Sequence, residues 1–262
     1  MSLIVGVIAG LAYGLSAFAG AFVALPLLVL VVGIELHASL PVALAGLALC
    51  AAVAAGDAAR ARQCNSTLVL MAVLGGLPVA IAAAWLAQAL PAFVLVSIFS
   101  LAAIAGGLLL VRSGGGQIAP SALWHAPRRP LTEAVTSDRY PAAVQLRAVC
   151  AGAANALLAA LCAAGGSGIV RMADRSAPGQ NTLAAGTAVL VVAVLAATAA
   201  TPQLMLAPTI PGYTAGLYVL GTVAGMGFAR RLASLRVQYW AERVIALLVV
   251  ALAVLLWLRV AI

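Results

Sequence analysis

Apolar runs of near membrane-spanning length follow one another along almost the whole chain, and a lipid interior admits few folds. The runs are Leu3 to Val32, Leu40 to Ala55, Leu68 to Leu90, Ala92 to Val111, Ala148 to Ala164, Leu183 to Ala200, Tyr213 to Ala229 and Val237 to Leu258. A bilayer core of about 30 Å needs about 20 apolar residues per crossing helix. No water reaches that core, so every backbone N–H and C=O must find a partner in the protein, which leaves helices or closed barrels. Composition agrees with the helical choice: 65% of residues are hydrophobic, 8% are charged, and the mean hydropathy is +1.18, far from soluble domains. The expected fold class is an all-α polytopic membrane protein with no room for an extramembrane enzyme domain.

All fourteen basic residues are arginine, and the net charge is +8. On a membrane protein such an excess reports the positive-inside rule and contact with anionic headgroups, so the lipid bilayer is the expected partner and nucleic acid is not. Cys50, Cys150 and Cys162 fall in apolar runs and Cys64 in a short loop, without metal or redox spacing. They read as small packing residues, and neither cofactor nor metal is expected. The stretch Met1 to Val32 lacks a charged n-region and leads into further apolar segments, so it reads as retained.

The runs are unequal. Leu3 to Val32 is too long for one upright span and carries Gly14, Ser16, Gly20 and Pro26; the fifth run ends in Gly165-Gly166-Ser167-Gly168. Each glycine costs about 1 kcal/mol relative to alanine in a helix interior, so both segments are expected to break. Between Arg112 and Arg147 glycine, proline and charge mark a linker, giving a first repeat at 1–112, a cytoplasmic linker at 113–147 and a second repeat at 148–262. Residues align across it: Ala38-Ser39-Leu40 with Asn181-Thr182-Leu183, and Leu74-Gly75 with Leu220-Gly221. Arginines follow the second and fourth runs in the first half (Arg60, Arg62, Arg112) but the seventh run in the second (Arg230, Arg231, Arg236). With positive loops cytoplasmic, equivalent helices cross in opposite directions. The expectation is two inverted repeats, each a re-entrant hairpin plus about three transmembrane helices, with Arg147, Arg171 and Arg175 on the cytoplasmic side. Paired discontinuous segments of this kind point to a transporter's binding site.

Two stretches carry a family resemblance: Gly10 to Gly46 (GLAYGLSAFAGAFVALPLLVLVVGIELHASLPVALAG) and Gly152 to Thr187 (GAANALLAALCAAGGSGIVRMADRSAPGQNTLAAGT). Together they resemble the paired signature of the sulfite exporter TauE/SafE family, also called toluenesulfonate uptake permeases. In that family each half opens with a glycine-rich break, then a Pro-Leu-Leu type stretch and an Ala-x-Gly-Thr-Ser type helix start. Here the first break reads Ser16-Ala17-Phe18-Ala19-Gly20 in place of a glycine triplet, and Leu44 stands where Thr187 matches the family threonine. The resemblance implies a multi-pass permease of the bacterial inner membrane for a small anion such as sulfite or a sulfonate.

The expected substrate contacts are Ser16, Gly20, Ser39, Asn155, Gly165, Gly166, Ser167, Gly168, Arg171, Gln180, Asn181, Thr182 and Thr187. A helix broken at midplane exposes N–H groups and a positive dipole end; the plain alternative is close packing through small residues. Ser39 and Thr182 read equally as N-caps, whereas Thr187, further along, must bond back to a carbonyl or face a polar cavity. Asn155, alone inside an apolar run, fits packing least well. Arg171 reads first as a topology charge, and His37 as a solvated loop residue. Gly165 to Gly168 also fits a rhomboid-type Gly-x-Ser-Gly, but His37 and His125 both precede Ser167, so the base that mechanism needs is missing. The protein is not expected to be an enzyme. A channel, a permease for another solute, and a homo-oligomeric state are all left open by the sequence.

Overall fold

A computed structural model describes residues 1–112, 142–164, 181–206, 211–232 and 235–261. The described chain is helical throughout: α1 (Ser2–Leu15), α2 (Ala17–Leu27) continued by a π-helical turn (Leu28–Val32), α3 (Leu36–Arg60), α4 (Ser66–Ala89), α5 (Ala92–Arg112), α6 (Ala142–Cys162), α7 (Asn181–Leu206), α8 (Gly212–Leu232) and α9 (Leu235–Ala261). Among the described residues, Leu36–Arg60, Ser66–Ala89, Ala142–Cys162 and Ala185–Leu206 are long and apolar enough to cross a membrane. The protein is a multi-pass membrane protein. Helix α6 begins at Ala142, inside the stretch read as linker; residues 113–141 lie outside the described residues.

Side-chain size, rather than polarity, is sorted between inside and outside. On α4 the exposed stripe is Leu70, Leu74, Leu77, Ile81 and Trp85, with Leu74 59% exposed, while Ala72, Gly76, Ala80, Ala84 and Ala87 are buried. Lipid tails are as apolar as leucine, so large apolar side chains gain nothing by turning inward. Helices associate instead through close van der Waals approach of small residues. On α1, Gly6 and Gly10 lie against the backbones of Tyr218 and Thr222 on α8, and Gly221 and Gly225 against those of Leu3 and Val7. The same packing joins α6 to α4, with Gly152 against Ala72 and Gly75 against Val149.

These two interfaces correspond residue for residue at a single offset of 146 (152 − 6, 218 − 72, 221 − 75 and 149 − 3). The offset also carries the start of α4 onto that of α8 (212 − 66) and the last residue of α1 to within one residue of the end of α6. It corrects the pairing of Ser39 with Thr182: helix α3 starts three residues before Ser39, so Leu36 is the counterpart of Thr182 (182 − 36).

The first apolar run is broken at Ser16, as expected. Its two arms, 14 and 11 residues with a five-residue π turn, reach about 21–24 Å each, short of a bilayer core of about 30 Å. The chain also reverses there. Cys50 Sγ donates to the Thr222 carbonyl at 3.5 Å and Asp57 pairs with Arg230 at 3.1 Å, so α3 and α8 run parallel. Helix α1 also runs parallel to α8 through Gly6 and Gly10. Both α1 and α3 therefore advance toward the same end, and residues 16–35 must return the chain. Pro26 removes a ladder donor just before the π turn, Gly33 ends it in the left-handed region at φ 79°, and Arg259 donates to the Val29 carbonyl at 2.8 Å.

Candidate functional site

Ser16 belongs to neither arm, with φ −147° and ψ 84°. Its N–H closes α1 on the Ala12 carbonyl at 2.8 Å. Its hydroxyl is buried without a hydrogen-bond partner and caps no N–H of α2. The first N–H groups of α2 are thus left without a side-chain cap, at the positive end of the helix dipole. Gly20 lies in this helix.

In the second half α6 ends at Cys162, and Ala163 takes the left-handed region at φ 49°, a conformation that costs an alanine about 1–2 kcal/mol. At the offset of 146, Cys162 is the counterpart of Ser16. The helix therefore stops where its partner breaks. Gly165, Gly166, Ser167, Gly168, Arg171 and Gln180 lie outside the described residues. Asn155, two turns before this end, is fully buried, and neither its carboxamide nitrogen nor its oxygen has a partner. A buried polar group left unpaired costs about 1–3 kcal/mol.

Other candidates have structural tasks. Ser39 is not an N-cap: Glu35 holds that position, and the Ser39 hydroxyl donates to the Leu36 carbonyl at 2.8 Å. The Thr187 hydroxyl oxygen accepts the Asn65 N–H at 2.9 Å across 122 residues, a tertiary bond outside both roles expected for it. Asn65 in turn caps α4 by accepting from Leu68 N–H at 3.2 Å. Thr187→Val should lower stability by about 1–3 kcal/mol, the cost of stranding a part-buried N–H. Melting in detergent reads that loss, and sulfite affinity should stay unchanged. Asn181 and Thr182 open α7. His37 is not a solvated loop residue; it sits in the first turn of α3, where Nε2 bonds the Leu90 carbonyl at 2.9 Å. The cysteines are free thiols, Cys50 and Cys162 buried and Cys150 exposed. Burial pushes the Cys64 thiol up from its usual range.

Three further buried polar side chains escaped the sequence reading. The Tyr13 hydroxyl and both amide atoms of Gln63 lack partners, and Gln203 donates to the Ala160 carbonyl at 2.8 Å while its oxygen stays unpaired. Tyr13 reads from sequence as one more aromatic in an apolar run; only packing reveals its unpaired hydroxyl. Gln63 follows the second run in a short arginine-bearing loop, a place where sequence alone gives no reason to expect full burial.

Helix α1 breaks at Ser16 and α6 stops at the equivalent place, with the neutral side chains of Ser16 and Asn155 buried and unpaired, in a multi-pass membrane protein. The chain belongs to the sulfite exporter TauE/SafE family, whose profile matches residues 2–256. Comparison with curated proteins and with solved structures returns no match.

Proposed function

We propose that this protein exports sulfite or a small sulfonate across the bacterial inner membrane, by alternating access at the interface of two inverted repeats, and that it is a permease without enzymatic activity. The observation that carries the proposal is the pair of buried, unpartnered polar side chains Ser16, at the break after α1, and Asn155, two turns before the end of α6. Neutral donors can hold an anion through charge-assisted hydrogen bonds without the deep trap that a buried arginine would make. Membership in the exporter family supplies the substrate class. The broken segments around Ser16 to Gly20 and Gly165 to Gly168 would meet near the bilayer midplane, each covering the other's free backbone groups.

The inverted arrangement is supported by helix order. Helix α7 starts beside the end of α3, through Gly186 on Ala58 and Thr187 on Asn65. Helices α5 and α9 run oppositely, with Phe93 beside Trp257 at 6.5 Å and Ser100 donating to the Ala253 carbonyl at 3.2 Å. Helix α4 begins at the end of the bundle where α8 finishes, at the Asp57–Arg230 pair. Each such pair is related by the offset of 146. Arg60, Arg62, Arg230 and Arg231 share that end, which the positive-inside rule makes cytoplasmic.

Topology is testable with single cysteines in a variant lacking the four native ones. Ala89→Cys should react with an impermeant reagent added outside cells, and Ala59→Cys only after permeabilisation. The reverse pattern contradicts the orientation. Export is tested by growing cells on a sulfonate whose breakdown releases sulfite internally. Expression should increase sulfite appearing in the medium; equal release with the protein present in the membrane contradicts export.

A further inference from the structure

We propose that the Tyr13 hydroxyl is a substrate-binding donor in the first half of the site, and that the cavity it lines limits the size of the oxyanion that fits. This rests on the transport reading above.

Tyr13 lies on the last turn of α1, 3% exposed, with its hydroxyl unpartnered. It lines a cavity of about 10 Å³ between α1, α2, α3 and α8, together with Gly10, Ala24, Gly46, Cys50 and Thr222. That volume is about one water, or one oxygen atom of an anion. Two of the neighbouring donors are committed elsewhere, Thr222 Oγ1 to the Val219 carbonyl at 2.7 Å and Cys50 Sγ to the Thr222 carbonyl at 3.5 Å, while Tyr218 brings a second hydroxyl to the same lining. Ser16, three residues further on at the break, is likewise buried with an unpaired hydroxyl. Two unpaired hydroxyls thus flank the broken end of α1. Phenylalanine would fill the space of Tyr13 without burying an unsatisfied group, so the hydroxyl costs stability unless something binds it.

The cavity wall is set by small residues. A Cβ on Gly46 would lie 2.7 Å from Tyr218 Cε1 and 3.1 Å from Thr222 Cγ2, so any larger residue pushes the Tyr218 ring or closes the space. The site accepts one oxygen of a compact, sulfite-sized oxyanion and excludes a bulky substituent at that point.

The test is Tyr13→Phe in the purified full-length protein, read by anion-dependent thermal stabilisation. Wild type should be stabilised by sulfite, and the variant should need about tenfold more for half the effect, the scale of one hydrogen bond to a charged group. Its ligand-free melting temperature should be equal or higher. An unchanged half-saturating concentration, or a lowered ligand-free melting temperature, overturns the proposal. Should wild type neither respond to sulfite nor transport it, the sulfite reading fails separately. The tyrosine is then read on sulfate, phosphate and methanesulfonate: stabilisation by one of them that Tyr13→Phe lacks supports the donor, and no stabilisation by any overturns it.

Discussion

Gly10→Ala should largely abolish folded protein, although it adds a single methyl group. A Cβ at Gly10 would overlap the carbonyl oxygen of Thr222 and lie 2.7–2.8 Å from its carbonyl carbon and Cα. These are backbone atoms, which cannot rotate away as a side chain can. Helices α1 and α8 must separate, and three further glycines in the same interface lose their contact with them. In lipid no hydrophobic force pulls them back together, because close van der Waals approach is itself the main attraction. The expected loss is about 3 kcal/mol or more, seen as aggregation on detergent size-exclusion chromatography. Gly227→Ala on α8 is the control. No atom lies within 4 Å of its added Cβ, so the variant should gain up to about 1 kcal/mol from helix propensity. Equal behaviour of the two variants would contradict the packing described here.

Asn155→Leu should separate stability from transport. The side chain is fully buried in an apolar helix with both amide atoms unpaired, so an apolar residue of the same branched shape removes a desolvation cost of about 1–3 kcal/mol. Melting temperature should rise, while anion flux should fall at least tenfold as the site loses a neutral donor. Such a trade is expected where a site holds polar groups ready for a ligand. Undiminished flux in a stable Asn155→Leu protein would remove Asn155 from the site.

The architecture was legible because lipid imposes it locally. Run length and the breaks at Ser16 and after Cys162 come from residues adjacent in sequence, and arginine placement speaks to orientation from single loops. What could not be read was pairing across the bundle. Thr187 read as bonding back to a carbonyl or facing a polar cavity, whereas the group its oxygen accepts from, the Asn65 N–H, lies 122 residues away. His37 looked solvated because its run had not begun, whereas α3 starts at Leu36 and the Leu90 carbonyl receives the ring. The offset of 146 was legible at Leu74-Gly75 and Leu220-Gly221, but not at the starts of α3 and α7, which carry unlike residues and suggested 143 (182 − 39) instead. Asn155 was the exception, since a carboxamide within an apolar run is conspicuous without any structure.

Counterflow in proteoliposomes tests the central claim most directly. Vesicles loaded with unlabelled sulfite should take up labelled sulfite far faster than protein-free vesicles, with small sulfonates competing and chloride or sodium having little effect. Uptake indistinguishable from protein-free vesicles, or protein-dependent uptake of a cation that sulfite does not inhibit, would contradict it.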